Sequence, residues 1–255
     1  MADLASELGP GGIEVVLSLA DDEHLMGQQY AEWIGVTPFL EEDLAFCSIG
    51  QDELGHAALL YAVVVGDDGS IDGEAAIDQL ALQRAGEDYR SCWFTERPTD
   101  DWAEALVRHW LYDRAEQLRW AQFSSSTVAA LADATVRVER EEVYHRRHGD
   151  GLLDVLLGDP DSGPRLQSAV RLWAPLALGM FEPVAGEGEA LADGVIGGSV
   201  ADLRAPWMDM VTDRFGPVEW GIAPAQEGRR LRSSWFDPLM SRMREVIDLD
   251  PLALW

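Results

Sequence analysis

The sequence predicts an all-α fold, a bundle of four long helices followed by further helices toward the C-terminus. Three observations carry this reading. Apolar residues recur at helical rather than alternating spacing, Gly, Pro and Asp cluster between the long periodic stretches, and no convincing strand pattern interrupts them. The 255 residues suffice to bury a substantial core, read here as one domain over 1–255, with a core bundle over about 12–157 and an extension over about 163–255.

The first helix is expected from about Gly12 to Ile34, stopped by Gly35 and by Pro38 shortly after. A second runs from near Pro38 to about Val65 and ends at Gly66-Asp67-Asp68-Gly69. A shorter, more polar helix covers Ile71 to Gly86, and Arg90 to Thr99 reads as a loop ended by Pro98. Thr99, Asp100 and Asp101 supply capping oxygens for a third long helix reaching about Phe123. The fourth follows Ser124-Ser125-Ser126-Thr127 and reaches about Leu157. Beyond it lie helices near Pro164 to Phe181, Ser199 to Phe215 and Trp235 to Ile247, with a Gly-rich loop at Gly186-Glu187-Gly188.

The balance of 46 acidic against 19 basic residues gives a formal charge of -27, and every basic residue is Arg. Such a field repels phosphates, which excludes nucleic acid and anionic membrane surfaces as partners. It suits a salt-rich, halophilic cytoplasm, where screening removes most self-repulsion; a genome favouring Arg codons is the alternative. Cys47 and Cys92 are too few for a disulfide framework, and the N-terminal stretch has no basic or apolar targeting region, so the expected location is cytoplasmic.

Chemistry concentrates in two motifs. The second helix carries Glu53-Leu54-Gly55-His56 and the fourth carries Glu142-Val143-Tyr144-His145, and a spacing of three places both side chains of each pair on one helical face. Glu-x-x-His from two helices, plus one carboxylate from each of two others, is the ligand pattern of ferritin-like di-metal proteins. Glu23 supplies the third acid, in a stripe with Leu19, Met26 and Tyr30, and Asp113 the fourth, in line with Leu106, Trp110 and Trp120. Glu53 likewise shares its face with Phe46, Ile49 and Leu60, and Glu142 with Val138 and Leu152. Four inward carboxylates are costly to bury unless compensated, and two divalent ions compensate them. The carboxylate and imidazole mixture suits iron, with manganese possible, better than zinc.

Asp52 and Glu141, one residue before each motif glutamate, are candidates to hydrogen-bond the outer histidine nitrogens. Glu116, one turn after Asp113, is the alternative to it. His109 reads as a packed histidine, His24 and His148 as surface residues, and the Trp residues as core or interface anchors. Arg229-Arg230-Leu231-Arg232 either pairs with a CoA phosphate or is solvated or subunit-facing.

These residues resemble a known family. Gln51-Asp52-Glu53-x-Gly55-His56 and Glu141-Glu142-x-x-His145 are similar to the metal motifs of the catalytic, A-type subunit of phenylacetyl-CoA epoxidase. The remainder resembles the C-type subunit, through Ala31-Glu32-Trp33-Ile34-Gly35, Glu42-Asp43-Leu44-Ala45 followed by Ile49-Gly50, Arg171-Leu172-Trp173, the length, and Trp255. The resemblance implies a ferritin-like subunit of a multicomponent di-iron monooxygenase of aerobic phenylacetate catabolism. In it two iron ions at Glu23, Glu53, His56, Asp113, Glu142 and His145 activate O2 for ring 1,2-epoxidation of an aromatic acyl-CoA thioester. Its partners are a separate reductase that supplies electrons and an A-type subunit, in an oligomer. The alternatives are a structural C-type subunit that scaffolds an A-type partner and, outside that chemistry, a ferritin-like metal-handling protein.

Overall fold

The computed structural model describes residues 4–67 and 69–250; Asp68, at the expected end of the second helix, and Trp255, part of the family resemblance, lie outside them. Among the described residues there are ten α-helices and no strand: α1 Leu4–Ala31, α2 Leu40–Val65, α3 Ile71–Leu82, α4 Trp93–Glu96, α5 Trp102–Ala121, α6 Ala129–Leu156, α7 Ser162–Ala177, α8 Glu187–Ala192, α9 Arg204–Phe215 and α10 Phe236–Met243. The chain has the ferritin-like all-α fold that the sequence predicts, with α1, α2, α5 and α6 as the bundle.

The side-chain pairs give the direction of each neighbour. Tyr30 meets Phe46 while His24 meets Tyr61, so α1 and α2 are antiparallel. His109 meets His148 while Thr135 reaches Trp120, so α5 and α6 are antiparallel too, and so are α2 and α6, paired through Asp52–His145 and His56–Glu141. Of the later helices, α8 packs on α1, and α7 and α9 on α5.

Boundaries differ from expectation where local chemistry overrides periodicity. α1 begins at Leu4, ahead of the expected Gly12, because Gly9 (φ 61, ψ 169) kinks the chain and Pro10 can then open a second helical run, where its missing N–H costs nothing. The expected loop over Arg90 to Thr99 contains α4, and the Gly-rich stretch near Gly186 contains α8. Asp101 is the cap of α5, accepting from the Glu104 amide at 2.9 Å. Gly66, left-handed at φ 68, ends α2.

α1 and α2 approach closely at glycines. A Cβ on Gly27 would lie 2.7 Å from Leu54 Cγ and 3.0 Å from the Gly50 carbonyl oxygen. We expect Gly27→Ala to push the helices apart at a cost of about 1–3 kcal/mol, seen as a lower unfolding temperature.

The buried apolar side chains form two main clusters with a polar waist between them. Along α1, Leu19 belongs to one and Met26 to the other; along α5, Trp120 and Trp110 divide likewise; along α2, Leu60 and Ile49; along α6, Val138 and Leu153. Every acidic stripe residue of the sequence analysis falls in that gap. A smaller cluster of Leu25, Tyr89, Phe236, Leu239 and Met240 ties α10 to the bundle. None of the described helices is long and apolar enough to cross a membrane.

Candidate metal centre

At the waist, α1 presents Glu23, α2 presents Glu53 and His56, α5 presents Asp113 and Glu116, and α6 presents Glu142 and His145, all at most 1% exposed. Their donor atoms form three groups, each lying within 4.8 Å: Glu23, Glu53, His56 and Glu116; Glu53, Glu142 and His145; and Asp113, Glu116 and Glu142. Glu53 faces both histidines, with Oε2 3.7 Å from His56 Nδ1 and Oε1 3.6 Å from His145 Nδ1. Of the two acids on α5, Glu116 belongs to two groups, with Oε1 3.4 Å from His56 Nδ1, whereas Asp113 belongs to one.

The outer histidine nitrogens are clamped crosswise. His56 Nε2 donates to Glu141 Oε2 of α6 at 2.9 Å, and His145 Nε2 donates to Asp52 Oδ2 of α2 at 3.1 Å, so each helix orients the imidazole of the other. With Nε2 bonded outward, each Nδ1 points to the interior, where it meets carboxylate oxygens, Glu116 Oε1 at 3.4 Å from His56 and Glu142 Oε1 at 2.7 Å from His145. Donors are few there: Glu23 Oε2, both oxygens of Glu53 and of Asp113, Glu142 Oε2, Glu116 Oε2 and His56 Nδ1 are buried without a hydrogen-bond partner. Acceptors facing acceptors in a dry interior call for cations between them, so the residues present fit a two-metal group.

Electrostatics agree. Burial, reinforced by Glu116 and Glu23, pushes the Glu53 carboxyl well above the usual range, and burial with Glu142 and Glu23 does the same to Glu116. Burial also raises Glu142, against the pull of His145. For His145 burial disfavours the charge, but Asp52 and Glu142 overcome it and pull the ring up to about 10. Without a metal, the cluster holds its charge down by retaining protons.

Trp120 is a partner that periodicity did not reveal. Its indole N–H donates to Glu23 Oε1 at 3.0 Å and to Glu116 Oε1 at 3.2 Å, bridging α1 and α5. The available signal was the i, i+4 spacing of Glu116 and Trp120, which puts both on the inward face of α5.

Two histidines are not where sequence reasoning put them. His148 is only 11% exposed, because its ring lies between His109 and Glu42, and half-buried His24 packs edge-on against Tyr61, its pKa lowered by burial to about 4. The arginine stretch is also committed. Arg229 is buried against Asp22, and Arg232 pairs with Glu96 at 2.7 Å, so of its three arginines only Arg230 is exposed. The CoA-phosphate reading of Arg229 and Arg232 fails, since their charges are already matched inside the fold.

Asp52 and Glu141 are about one-third exposed, so they can be removed without opening the core. Asp52→Ala and Glu141→Ala are each expected to weaken metal affinity by about 10–100-fold, measured by chelator competition, because the imidazole they hold loses its fixed orientation.

Comparison with known proteins agrees with this architecture. The model of the phenylacetic acid catabolic protein family matches residues 5–255. The C-type subunit of 1,2-phenylacetyl-CoA epoxidase from Escherichia coli (strain K12) is 31% identical over 249 residues, 94% of this chain and 97% of the relative. The A-type subunit of the same epoxidase, from the same organism, is 30% identical over 153 residues, 59% of this chain and 47% of the relative. The match thus spans the bundle and the helices that cover it, and the chain belongs to the phenylacetic acid catabolic protein family.

Proposed function

We propose that this chain is a metal-bearing subunit of a phenylacetyl-CoA epoxidase-like oxygenase. The observation that carries the reading is the set of buried, unpaired donor atoms facing one another between two crosswise-clamped histidines. Glu23, Glu53, His56, Glu116, Glu142 and His145 would hold two iron ions, manganese being the other metal this donor set suits, with Asp113 beside them. Four of the five buried acids, Glu23, Glu53, Glu116 and Glu142, would balance two divalent ions, while the fifth, Asp113, stands 3.2 Å from His109 Nδ1. Bound there, iron would supply the activation of O2 and the transfer of one oxygen atom to the ring of an aromatic acyl-CoA thioester, with electrons from a separate reductase.

The chain's own side chains do the rest. Asp52 and Glu141 hold the imidazoles in the Nε2–H tautomer, Trp120 fixes the Glu23 and Glu116 carboxylates, and the two apolar clusters exclude water from the waist. The full-length likeness to a C-type relative supports a second reading, a scaffold for an A-type partner whose metal site is structural. One reconstitution separates them. An A-type partner with its own metal motif disabled, combined with this chain, a reductase and phenylacetyl-CoA, retains epoxide formation on the first reading and loses it on the second. Its assembly and its location, expected to be the cytoplasm, follow the partner complex.

A further inference from the structure

Beside the centre, a second polar row runs out of the bundle and takes no part in the site described so far. Tyr30 Oη lies 2.9 Å from His109 Nδ1, His109 Nε2 lies 3.3 Å from His148 Nδ1, and His148 Nε2 lies 2.9 Å from Glu42 Oε2. Phe46 packs on both rings, with centroids at 5.7 Å from His109 and 6.2 Å from His148, walling the row from water. Tyr30 and His109 are at most 1% exposed. At the outer end Glu42 and His148 line an open surface pocket with Tyr144 and Arg147.

Every member of this row can both give and take a proton: a phenol, two imidazoles and a carboxyl group stand within hydrogen-bond reach one after another. Asp113 Oδ1, at the edge of the carboxylate cluster, stands 3.2 Å from His109 Nδ1 and links the row to that cluster.

We propose that Tyr30, His109, His148 and Glu42 form a proton conduit between the buried carboxylate centre and the pocket at the surface of α2 and α6. A centre whose charge changes inside a dry bundle needs protons to cross the walls around it, because uncompensated charge there costs several kcal/mol. For export, His109 Nδ1 takes a proton from the centre at Asp113, the His109 Nε2 proton passes to His148 Nδ1, and the His148 Nε2 proton to Glu42, while the Tyr30 hydroxyl holds the His109 ring; import runs the same row in reverse. One proton enters at the inner end for each that leaves through Glu42, and no bond is left unbalanced. What the conduit serves rests on the two-metal reading; the continuity of the row does not.

The test has two arms on the full chain. In the metal-free protein, nitrogen-15 NMR of labelled histidine should show hydrogen-bonded ring N–H protons, slow to exchange with solvent, at both His109 and His148; free exchange with water at either ring overturns the proposal whether or not metal binds. Anaerobic loading with Fe(II), followed in a stopped-flow apparatus with a pH indicator, should then release protons at least tenfold more slowly in Glu42→Gln and His148→Phe, with the same final iron content as the unsubstituted chain. Glu42→Gln keeps an acceptor for His148 but cannot carry the proton, so it reports on transfer rather than packing. Release as fast in both variants as in the unsubstituted chain overturns the conduit. Failure of the unsubstituted chain to take up iron overturns the two-metal reading instead, leaving the histidine exchange to decide the row itself.

Discussion

Metal-free Glu53→Gln is expected to unfold at a higher temperature than the unsubstituted metal-free chain, while losing both metal ions. Both effects have one cause. Glu53 stands between the two histidines and among Glu23, Glu116 and Glu142, so three neighbouring acids repel it when cations are absent, and it belongs to two of the three donor groups that would hold them. Removing its charge relieves the empty cluster by about 1 kcal/mol or more, which for a chain of this length raises the unfolding temperature by roughly 2–4 °C.

The same balance sets a pH dependence. Glu53, Glu116 and Glu142 have raised pKa values in the fold, so above about pH 4.5 the folded metal-free chain binds more protons than the unfolded chain, and its stability falls as pH rises. His145, pulled up to about 10, acts in the same sense: its contribution is complete below about pH 6.5 and lost as pH rises through about 10. Metal competes with those protons, so the stabilisation it confers grows with pH. Thermal melts with and without Fe(II) should therefore diverge between about pH 5 and 8. Parallel curves would contradict the account.

Asp22→Ala is expected to cause the largest loss of stability, about 3–5 kcal/mol, because it leaves two arginines buried without a counter-charge. Asp22 is fully buried, accepts from Arg119 at 2.6 Å and from Arg229, and also takes the Cys92 amide at 2.8 Å and the Thr95 hydroxyl at 3.1 Å. Burial works against its ionisation, but Arg229 and Arg119 win and hold its carboxyl below the usual range. This hub fastens α5, α4 and the segment around Arg229 to the residue preceding Glu23. Equilibrium urea unfolding measures the cost; a loss below about 1 kcal/mol would mean that the arginines find other partners.

Much of the architecture was readable from periodicity. The stripes through Glu23, Glu53 and Glu142 are local properties of single helices, and so is the i, i+3 pairing within each Glu-x-x-His. What lay beyond reach depends on the register between helices. Nothing in the local sequence says that Asp52 serves the histidine of α6 and Glu141 that of α2, since that crossing follows from how α2 and α6 pass each other. Nor does it reveal that Trp120 joins Glu23 to Glu116, that His148 folds under Glu42, or that Arg229 enters the core 207 residues from Asp22. The early start of α1 was hidden for a different reason: a short helical run precedes Gly9, whose non-helical backbone separates it from the long run that Pro10 opens.

The most direct test of the central claim is iron content per chain after anaerobic reconstitution, for the unsubstituted protein and for Glu53→Ala/His145→Ala. The account predicts about two irons per chain, lost in the double variant, with the bound metal raising the unfolding temperature. An unsubstituted chain that holds no iron and melts no differently in its presence would contradict it, and would leave the protein as a structural subunit whose buried acids are kept neutral by protons.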